Sequence, residues 1–163
     1  MDSRPPKESE LLRPVISLFE RPGYLTFLEA KLSRKRIDVL FVPPQRERWI
    51  SVELKVHDWK TALWQAALNL QVAEYSYVAL WHTFIRRALR QEKLFNSYGI
   101  GLISVSANDA SILIEGKVFA NQTRARQQEL ILEESKVASS KDGRLDALPF
   151  LPAQRPAALH QAY

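Results

Sequence analysis

Three charged residues stand at matching positions in two apolar segments of the chain. Asp38 interrupts the segment RIDVLFV, and Glu53 and Lys55 lie two positions apart in the segment ISVELKV. Burying charged side chains is unfavourable unless they are paired or used in function. Two carboxylates bind divalent cations, and an ammonium beside them acts on a phosphate. The chemistry of these residues therefore depends on whether the fold brings them together.

Two predicted strands carry these residues and form a hairpin. The segments at 36–42 and 48–56 are rich in β-branched and aromatic residues, which favours strands. The residues PPQRE form the turn between them, which is centred between Gln45 and Arg46. Residues equally far from that centre face each other in an antiparallel pair.

This register makes Asp38 and Glu53 cross-strand neighbours. Without a bulge their β-carbons would lie about 4.5–5.5 Å apart. Because side chains alternate along a strand, Lys55 shares the face of Glu53. The opposite face is predicted to carry apolar side chains, namely Ile37, Val39, Phe41, Val52, Leu54 and Val56. Two adjacent carboxylates repel each other, and a hard cation such as Mg²⁺ or Mn²⁺ removes that conflict.

The predicted trio suits hydrolysis of a phosphodiester bond. A bound ion would polarise a phosphate oxygen and lower the pKa of a water molecule. Lys55 would orient or deprotonate that water, or stabilise the charge that develops on the phosphate. The alternative is a weak ion pair of Glu53 and Lys55 on an exposed strand. The matched position of Asp38 and the buried type of the helix that follows favour the functional interpretation.

The rest of the chain predicts a mixed sheet with helices packed on it. Strands are predicted at 24–30, 36–42, 48–56, 75–80, 100–105 and 111–115, and helices at 9–20, 59–72, 83–98 and about 122–134. The helix at 59–72 is apolar nearly all round, which indicates burial on more than one side. From residue 9 to residue 115 the order is therefore α-β-β-β-α-β-α-β-β, an α/β arrangement.

The trio of Asp38, Glu53 and Lys55, together with this element order, resembles the pattern of the PD-(D/E)XK nuclease superfamily. Its restriction-endonuclease-like fold has an αβββαβ core, with a central mixed sheet flanked by helices. The resemblance covers roughly residues 9–115 and rests on RIDVLFV, ISVELKV and DWKTALWQAALN. It implies that Asp38, Glu53 and the backbone carbonyl of Leu54 bind Mg²⁺ or Mn²⁺. It also implies that Lys55 is the catalytic lysine.

Two further residues are implied by the same resemblance. Glu29, at the end of the first strand, matches an additional acidic residue that many members carry. Gln65 matches a helix glutamine that positions the metal, the water or a phosphate in resolvase-like members. The alternatives are a solvated strand-end glutamate and a hydrogen-bonded helix residue. Ile37 stands where many members have proline before the aspartate, a departure that is common in the superfamily.

Basic residues near the trio are candidate contacts for nucleic acid. The candidates are Arg34, Lys35, Arg36, Lys60, Arg86 and Arg90. The first three lead directly into the strand of Asp38 and would steer phosphates. Arg86 and Arg90 lie on the helix predicted at 83–98, and the alternative is that they belong to an ordinary solvated face of that helix. Trp59 is a candidate for stacking on a base, with core packing as the alternative.

Length and composition indicate one domain. The chain has 163 residues, 46% of them apolar, and a net charge of +5, which is compatible with a polyanionic partner. We assign residues 9–132 to the domain, 1–8 to a flexible N-terminus and 133–163 to a disordered C-terminal tail rich in Pro, Ser and Ala. The absence of cysteine excludes disulfides and thiolate zinc sites. No apolar segment approaches the roughly 20 residues of a membrane-spanning helix, and a cytoplasmic location fits these features.

The sequence thus predicts a metal-dependent endonuclease that acts on DNA. No pattern of a helix-turn-helix or zinc finger is visible, so specificity would come from DNA structure or from a protein partner. A homodimer fits an enzyme that cuts two strands. Two alternatives stand beside this prediction. One is a catalytically silent member of the fold that binds nucleic acid or a protein, and the other is a small α/β domain with an incidental trio.

Overall fold

The structure is a computed structural model that describes residues 6–121 and 124–142. Its elements, in chain order, are α1 (Glu8–Phe19), β1 (Leu25–Leu32), β2 (Lys35–Val42), β3 (Ile50–Lys55), α2 (Trp59–Asn69), β4 (Tyr75–Trp81), a 3₁₀ turn (His82–Phe84), α3 (Ile85–Leu89), α4 (Glu92–Tyr98), β5 (Gly101–Val105), β6 (Ala110–Ile114) and α5 (Arg124–Asp142). The six strands form one mixed sheet flanked by helices. The predicted α/β class is confirmed.

The strands lie in the sheet in the order in which they occur along the chain. β1, β2 and β3 form an antiparallel meander, β3, β4 and β5 are parallel, and β6 is antiparallel to β5. Parallel neighbours need a crossover, and α2 makes the one between β3 and β4. The crossover places α2 over the strand that carries Glu53.

Helices cover the two faces of the sheet. On one face, α1 packs its apolar side chains, spaced four residues apart, against β3 to β6, and Phe19 also contacts Phe41 of β2. This cluster includes Leu11, Val15, Phe19, Val39, Phe41, Val52 and Leu54. On the other face, α2 packs against β3 and β4. The apolar cluster on this face includes Ala62, Leu63, Ala66, Val78, Leu80 and Leu102. The predicted apolar face of β3 therefore lies under α1, and Glu53 lies on the side of α2.

Strand β2 leaves the regular pleat at Asp38. The ladder with β1 omits the pair of Glu29 and Asp38, and Glu29 has a φ of 53°. The ladder with β3 ends at Val39 and Val52. Ile37 was predicted to share the face of Val39, and that prediction is wrong, because it assumed unbroken alternation. Ile37 packs in a third cluster together with Leu40 and Val42.

Two helices differ from the predictions. The single helix predicted at 83–98 is interrupted after Leu89, and α4 starts again at Glu92. No glycine or proline lies at this break, so the sequence contains no local signal for it. α5 continues to Asp142 instead of ending near residue 134.

The predicted terminal segments lie largely outside the described residues. The structure describes residues 6–8 of the predicted flexible N-terminus, and α1 begins at Glu8. Of the predicted tail, residues 133–142 belong to α5, while residues 143–163 lie outside the described part of the chain. None of the described helices combines the length and the apolar character needed to cross a bilayer.

Candidate active site

The hairpin of β2 and β3 has the predicted register. It pairs Val39 with Val52, so that one step further Asp38 lies opposite Glu53. At that position the backbone ladder has ended, and Oδ2 of Asp38 accepts a hydrogen bond of 2.8 Å from the N–H of Leu54. The carboxylate of Asp38 thus takes the place of the backbone carbonyl that would accept this hydrogen bond in a regular ladder. This bond holds the carboxylate beside the strand that carries Glu53.

Glu53 is a buried carboxylate, with 1% of its surface exposed. Its Oε1 accepts a hydrogen bond of 2.6 Å from Nδ2 of Asn69, and Nζ of Lys35 lies 3.9 Å away. Burial and the adjacent Asp38 carboxylate raise the pKa of Glu53 to about 7, against the opposing effects of Asn69 and Lys35. The pair of carboxylates therefore lacks full compensation for its negative charge, and the site favours a further cation or a proton.

Lys35 enters the same site from the start of β2. It was predicted as a contact for nucleic acid, and its half-buried ammonium lies against Glu53. It donates hydrogen bonds of 2.7 Å to the backbone carbonyl of Gln65 and 2.8 Å to Oδ1 of Asn69. Burial lowers the pKa of Lys35 more than the charges of Glu53 and Asp38 raise it. Lys35 thus ties β2 to the last turns of α2.

Asn69 links Lys35 to Glu53, and the sequence analysis missed it. Its amide oxygen accepts from Lys35 and its amide nitrogen donates to Glu53, so both ends of the amide are engaged. The Lys35 bond fixes which end of the amide faces the carboxylate. Asn69 follows Gln65 by four residues, so the two share one side of α2. That spacing is the signal from which Asn69 was predictable.

Gln65, to which the resemblance gives a positioning role, lies in α2 one turn before Asn69. Its backbone carbonyl accepts from Lys35, whereas its side-chain Oε1 is buried and has no hydrogen-bond partner among the described residues. Leaving a buried acceptor unsatisfied costs about 1–3 kcal/mol. The amide oxygen of Gln65 is therefore available to a donor or a cation.

Lys55 lies at the end of β3 and pairs with a residue that the sequence analysis missed. Its Nζ donates a 3.0 Å hydrogen bond to Oε1 of Glu8, in the first turn of α1. Burial lowers the pKa of Lys55, but the bond to Glu8 and the charges of Glu8, Asp38 and Glu53 raise it further, so that it ends above its usual value. No spacing in the sequence links Glu8 to Lys55, because the contact joins distant segments.

Glu29 is not brought to the carboxylate pair. Its side chain is 61% exposed, and its Oε2 lies 3.8 Å from Nη1 of Arg36. Among residues 6–121 and 124–142, no group of three or more His, Cys, Asp or Glu side chains is placed to hold a metal ion. The site thus offers the two carboxylates of Asp38 and Glu53.

The other predicted basic residues lie away from this network. Arg34 is exposed in the turn between β1 and β2, and Arg36 is exposed next to Glu29. Lys60 is exposed on α2, with its Nζ 5.7 Å from the ring centre of Trp59. Two further exposed arginines, Arg86 and Arg90, lie on α3 and at its C-terminal cap.

Comparison with known proteins concerns the fold alone. No protein-family model matches the chain. No curated protein matches it either. Among solved structures, the chain is similar to the SPO1766 protein of unknown function from Silicibacter pomeroyi, with a TM-score of 0.57 and 18% sequence identity. The likeness covers 88% of this chain and 95% of that one.

Proposed function

We propose that this protein is a metal-dependent nuclease that hydrolyses phosphodiester bonds in DNA. The observation that carries the proposal is the juxtaposition of Asp38 with the buried Glu53, beside the ammonium of Lys55. A protein seldom keeps two carboxylates together in a poorly solvated place without a use for them.

The residues of the site fit a bound Mg²⁺ or Mn²⁺ ion. Both ions prefer oxygen ligands, and Mg²⁺ is commonly held by one or two carboxylates, with water and substrate phosphates in the remaining positions. Asp38 and Glu53 would supply the carboxylates, and the carbonyl of Leu54 is the further ligand that the resemblance implies. The unpartnered amide oxygen of Gln65 adds a neutral oxygen donor. When bound, the ion would supply Lewis-acid polarisation of the phosphate and a more acidic water.

Lys55 would act as a charged hydrogen-bond donor in this reaction. Because its pKa lies above the usual value for lysine, its side chain is an ammonium at neutral pH. An ammonium cannot take a proton from water, so this state supports orientation of the water or stabilisation of charge on the phosphate oxygens. Glu8 holds the ammonium at the end of β3 through the 3.0 Å bond.

The element order gives independent support. The order α1-β1-β2-β3-α2-β4 is that of the αβββαβ core of restriction-endonuclease-like proteins. The candidate residues lie on the second and third strands and on the helix that follows, as in that superfamily. Fold alone does not imply function, so the proposal depends on the site.

A cleavage assay tests the proposal. Labelled duplex, single-stranded and branched DNA, and RNA, are incubated with the wild type in Mg²⁺, Mn²⁺ or EDTA. Lys55→Ala is compared with Lys117→Ala, which removes an exposed lysine after β6. We expect cleavage of DNA that requires a metal, disappears in Lys55→Ala and persists in Lys117→Ala. Absence of cleavage of every substrate, or equal cleavage by both variants, contradicts the proposal.

One observation favours a second candidate, a catalytically silent protein of this fold that binds nucleic acid. The Lys35 ammonium, 3.9 Å from Glu53, already offsets part of the negative charge that a metal ion would neutralise. On this alternative the site is held together by Lys35 and Asn69 and needs no ion. Binding of Mn²⁺ separates the two, because only the nuclease requires Asp38 and Glu53 to hold the ion.

A further inference from the structure

A groove on the outer side of α2 has no role in the carboxylate site. It runs between α2 and α4, has a volume of about 250 Å³, and is lined mainly by apolar and aromatic side chains. We call it the aromatic groove and define it by Trp59, Lys60, Trp64, Leu94 and Tyr98. Trp64 is 64% exposed and Tyr98 is 47% exposed, although both present large rings. Tryptophan is highly buried on average, and exposed apolar residues that are contiguous mark binding surfaces.

The charge around the aromatic groove is positive. Its lining contains one charged residue, Lys60. Along α2 with its N-cap, and from α3 to α4, the exposed cations are Lys60, Arg86, Arg87, Arg90 and Lys93, and the acidic residues are Asp58 and Glu92. Five cations against two carboxylates leave this layer of helices with a net charge of +3. A surface of that charge attracts a polyanion.

The size and the rings of the groove restrict the ligand further. Its volume lies below the roughly 300–1,000 Å³ of pockets that enclose whole small molecules, so it suits one or two planar rings. Nucleobases present such rings, and they stack on aromatic side chains when they are not stacked within a duplex. The groove therefore matches unstacked bases of a single strand, whose phosphates would face the surrounding cations.

The aromatic groove and the carboxylate site both involve residues of α2. Trp64 and Gln65 are consecutive residues of α2, and consecutive side chains on an α-helix point about 100° apart. A strand that crosses α2 from the carboxylate pair would reach Trp64. We infer that the aromatic groove binds the bases of a single-stranded segment of the nucleic acid. The inference rests on the proposed function in taking nucleic acid as the ligand.

Binding by a protein that cannot cleave tests this inference. In an Asp38→Asn background, fluorescence anisotropy measures the affinity for a labelled single strand of roughly 12 nucleotides and for the matching duplex. We expect Trp64→Ala to weaken single-strand binding about tenfold and to leave duplex binding unchanged, since one stacked base contributes about 1–3 kcal/mol. Phe119→Ala is the control for Trp64→Ala, because Phe119 is also an exposed aromatic residue and lies outside the groove. The single strand is DNA, as in the proposed function, and RNA of the same sequence is tested beside it; preferential binding of the RNA would contradict DNA as the ligand.

Two results would overturn the inference. One is a Trp64→Ala variant that binds single strands as tightly as its parent. The other is a concentration-dependent dimer that Trp64→Ala abolishes, which would show that a second copy of the chain covers the groove. Failure of the nuclease proposal is distinguishable, because a protein that cleaves nothing but loses single-strand binding in Trp64→Ala contradicts that proposal alone.

Discussion

The two sides of α2 differ in how their side chains are satisfied. On the side of β2, buried polar groups bond to one another: Lys35 donates to Asn69, and Asn69 donates to Glu53. On the side of α4, large apolar side chains such as Trp64 and Tyr98 remain exposed. On the first side, side chains of β2, β3 and α2 bond to one another, whereas on the second side two large rings remain exposed to solvent. The comparison separates residues that stabilise the protein from residues that serve binding alone.

The largest expected effect is on the proposed catalysis at the carboxylate site. Lys55→Ala should lower the rate of metal-dependent DNA cleavage by about 100-fold or more, as loss of one charged donor to a transition state does. Stability should fall by less than about 1 kcal/mol, because the ion pair with Glu8 is partly exposed. Single-turnover cleavage and urea unfolding measure the two effects. A drop in activity that only mirrors a loss of folded protein would contradict a catalytic role.

A pH-dependent effect on stability should follow from Glu53. Its pKa is raised to about 7 in the folded protein, so the folded state binds the proton more tightly than the unfolded state does. The resulting destabilisation is absent below pH of about 4.5 and develops as the pH rises to about 7. In EDTA, Glu53→Gln should therefore stabilise the protein by up to about 3 kcal/mol at pH 8, and by much less at pH 5. Urea unfolding at both pH values measures this, and a difference that does not change with pH argues against the raised pKa.

Removal of the Asn69 amide should lower the free energy of unfolding, although Asn69 is not proposed to contact the substrate. Asn69→Ala leaves a buried carboxylate and a half-buried ammonium without their shared partner, a loss of about 2 kcal/mol in the free energy of unfolding. Gln71→Ala, at an exposed position just after α2, is the control and should change little. Urea unfolding of the two variants makes the comparison. Equal stabilities would show that the network on the polar side is not structural.

The smallest expected effect is the change in protein stability when a side chain of the aromatic groove is removed. Trp64→Ala should change the free energy of unfolding by less than about 0.5 kcal/mol, since the side chain is 64% exposed. Thermal or urea unfolding of this variant checks the value. A loss of several kcal/mol would mean that Trp64 belongs to the core and would remove the contrast between the two sides of α2.

Much of the fold was predictable because local patterns agree with it. Alternating and apolar runs located the six strands, and the symmetric turn around Gln45 and Arg46 placed Asp38 opposite Glu53. The break in β2 at Asp38 was not predictable, because it coincides with the positive φ of Glu29 on the neighbouring strand. Such irregularities depend on tertiary pairing, which spacing along one strand does not contain.

The site was predictable only in part. Strand alternation located the two carboxylates and Lys55, but it contains no information on Glu8, which reaches Lys55 from α1. Lys35 was predicted to contact nucleic acid, because it belongs to the basic run of 34–36. Its burial depends on the end of α2 closing over the start of β2, a contact between elements distant in sequence.

The central claim is that Asp38 and Glu53 together hold a divalent cation, and titration with Mn²⁺ tests it most directly. Isothermal calorimetry, with electron paramagnetic resonance to count bound ions, compares the wild type with Asp38→Asn and with the control Asp109→Asn, at an exposed position outside the site. The account predicts saturable binding of Mn²⁺ to the wild type and the control, and its loss in Asp38→Asn while that variant stays folded. Undiminished binding in Asp38→Asn, or no binding to the wild type, would contradict the claim.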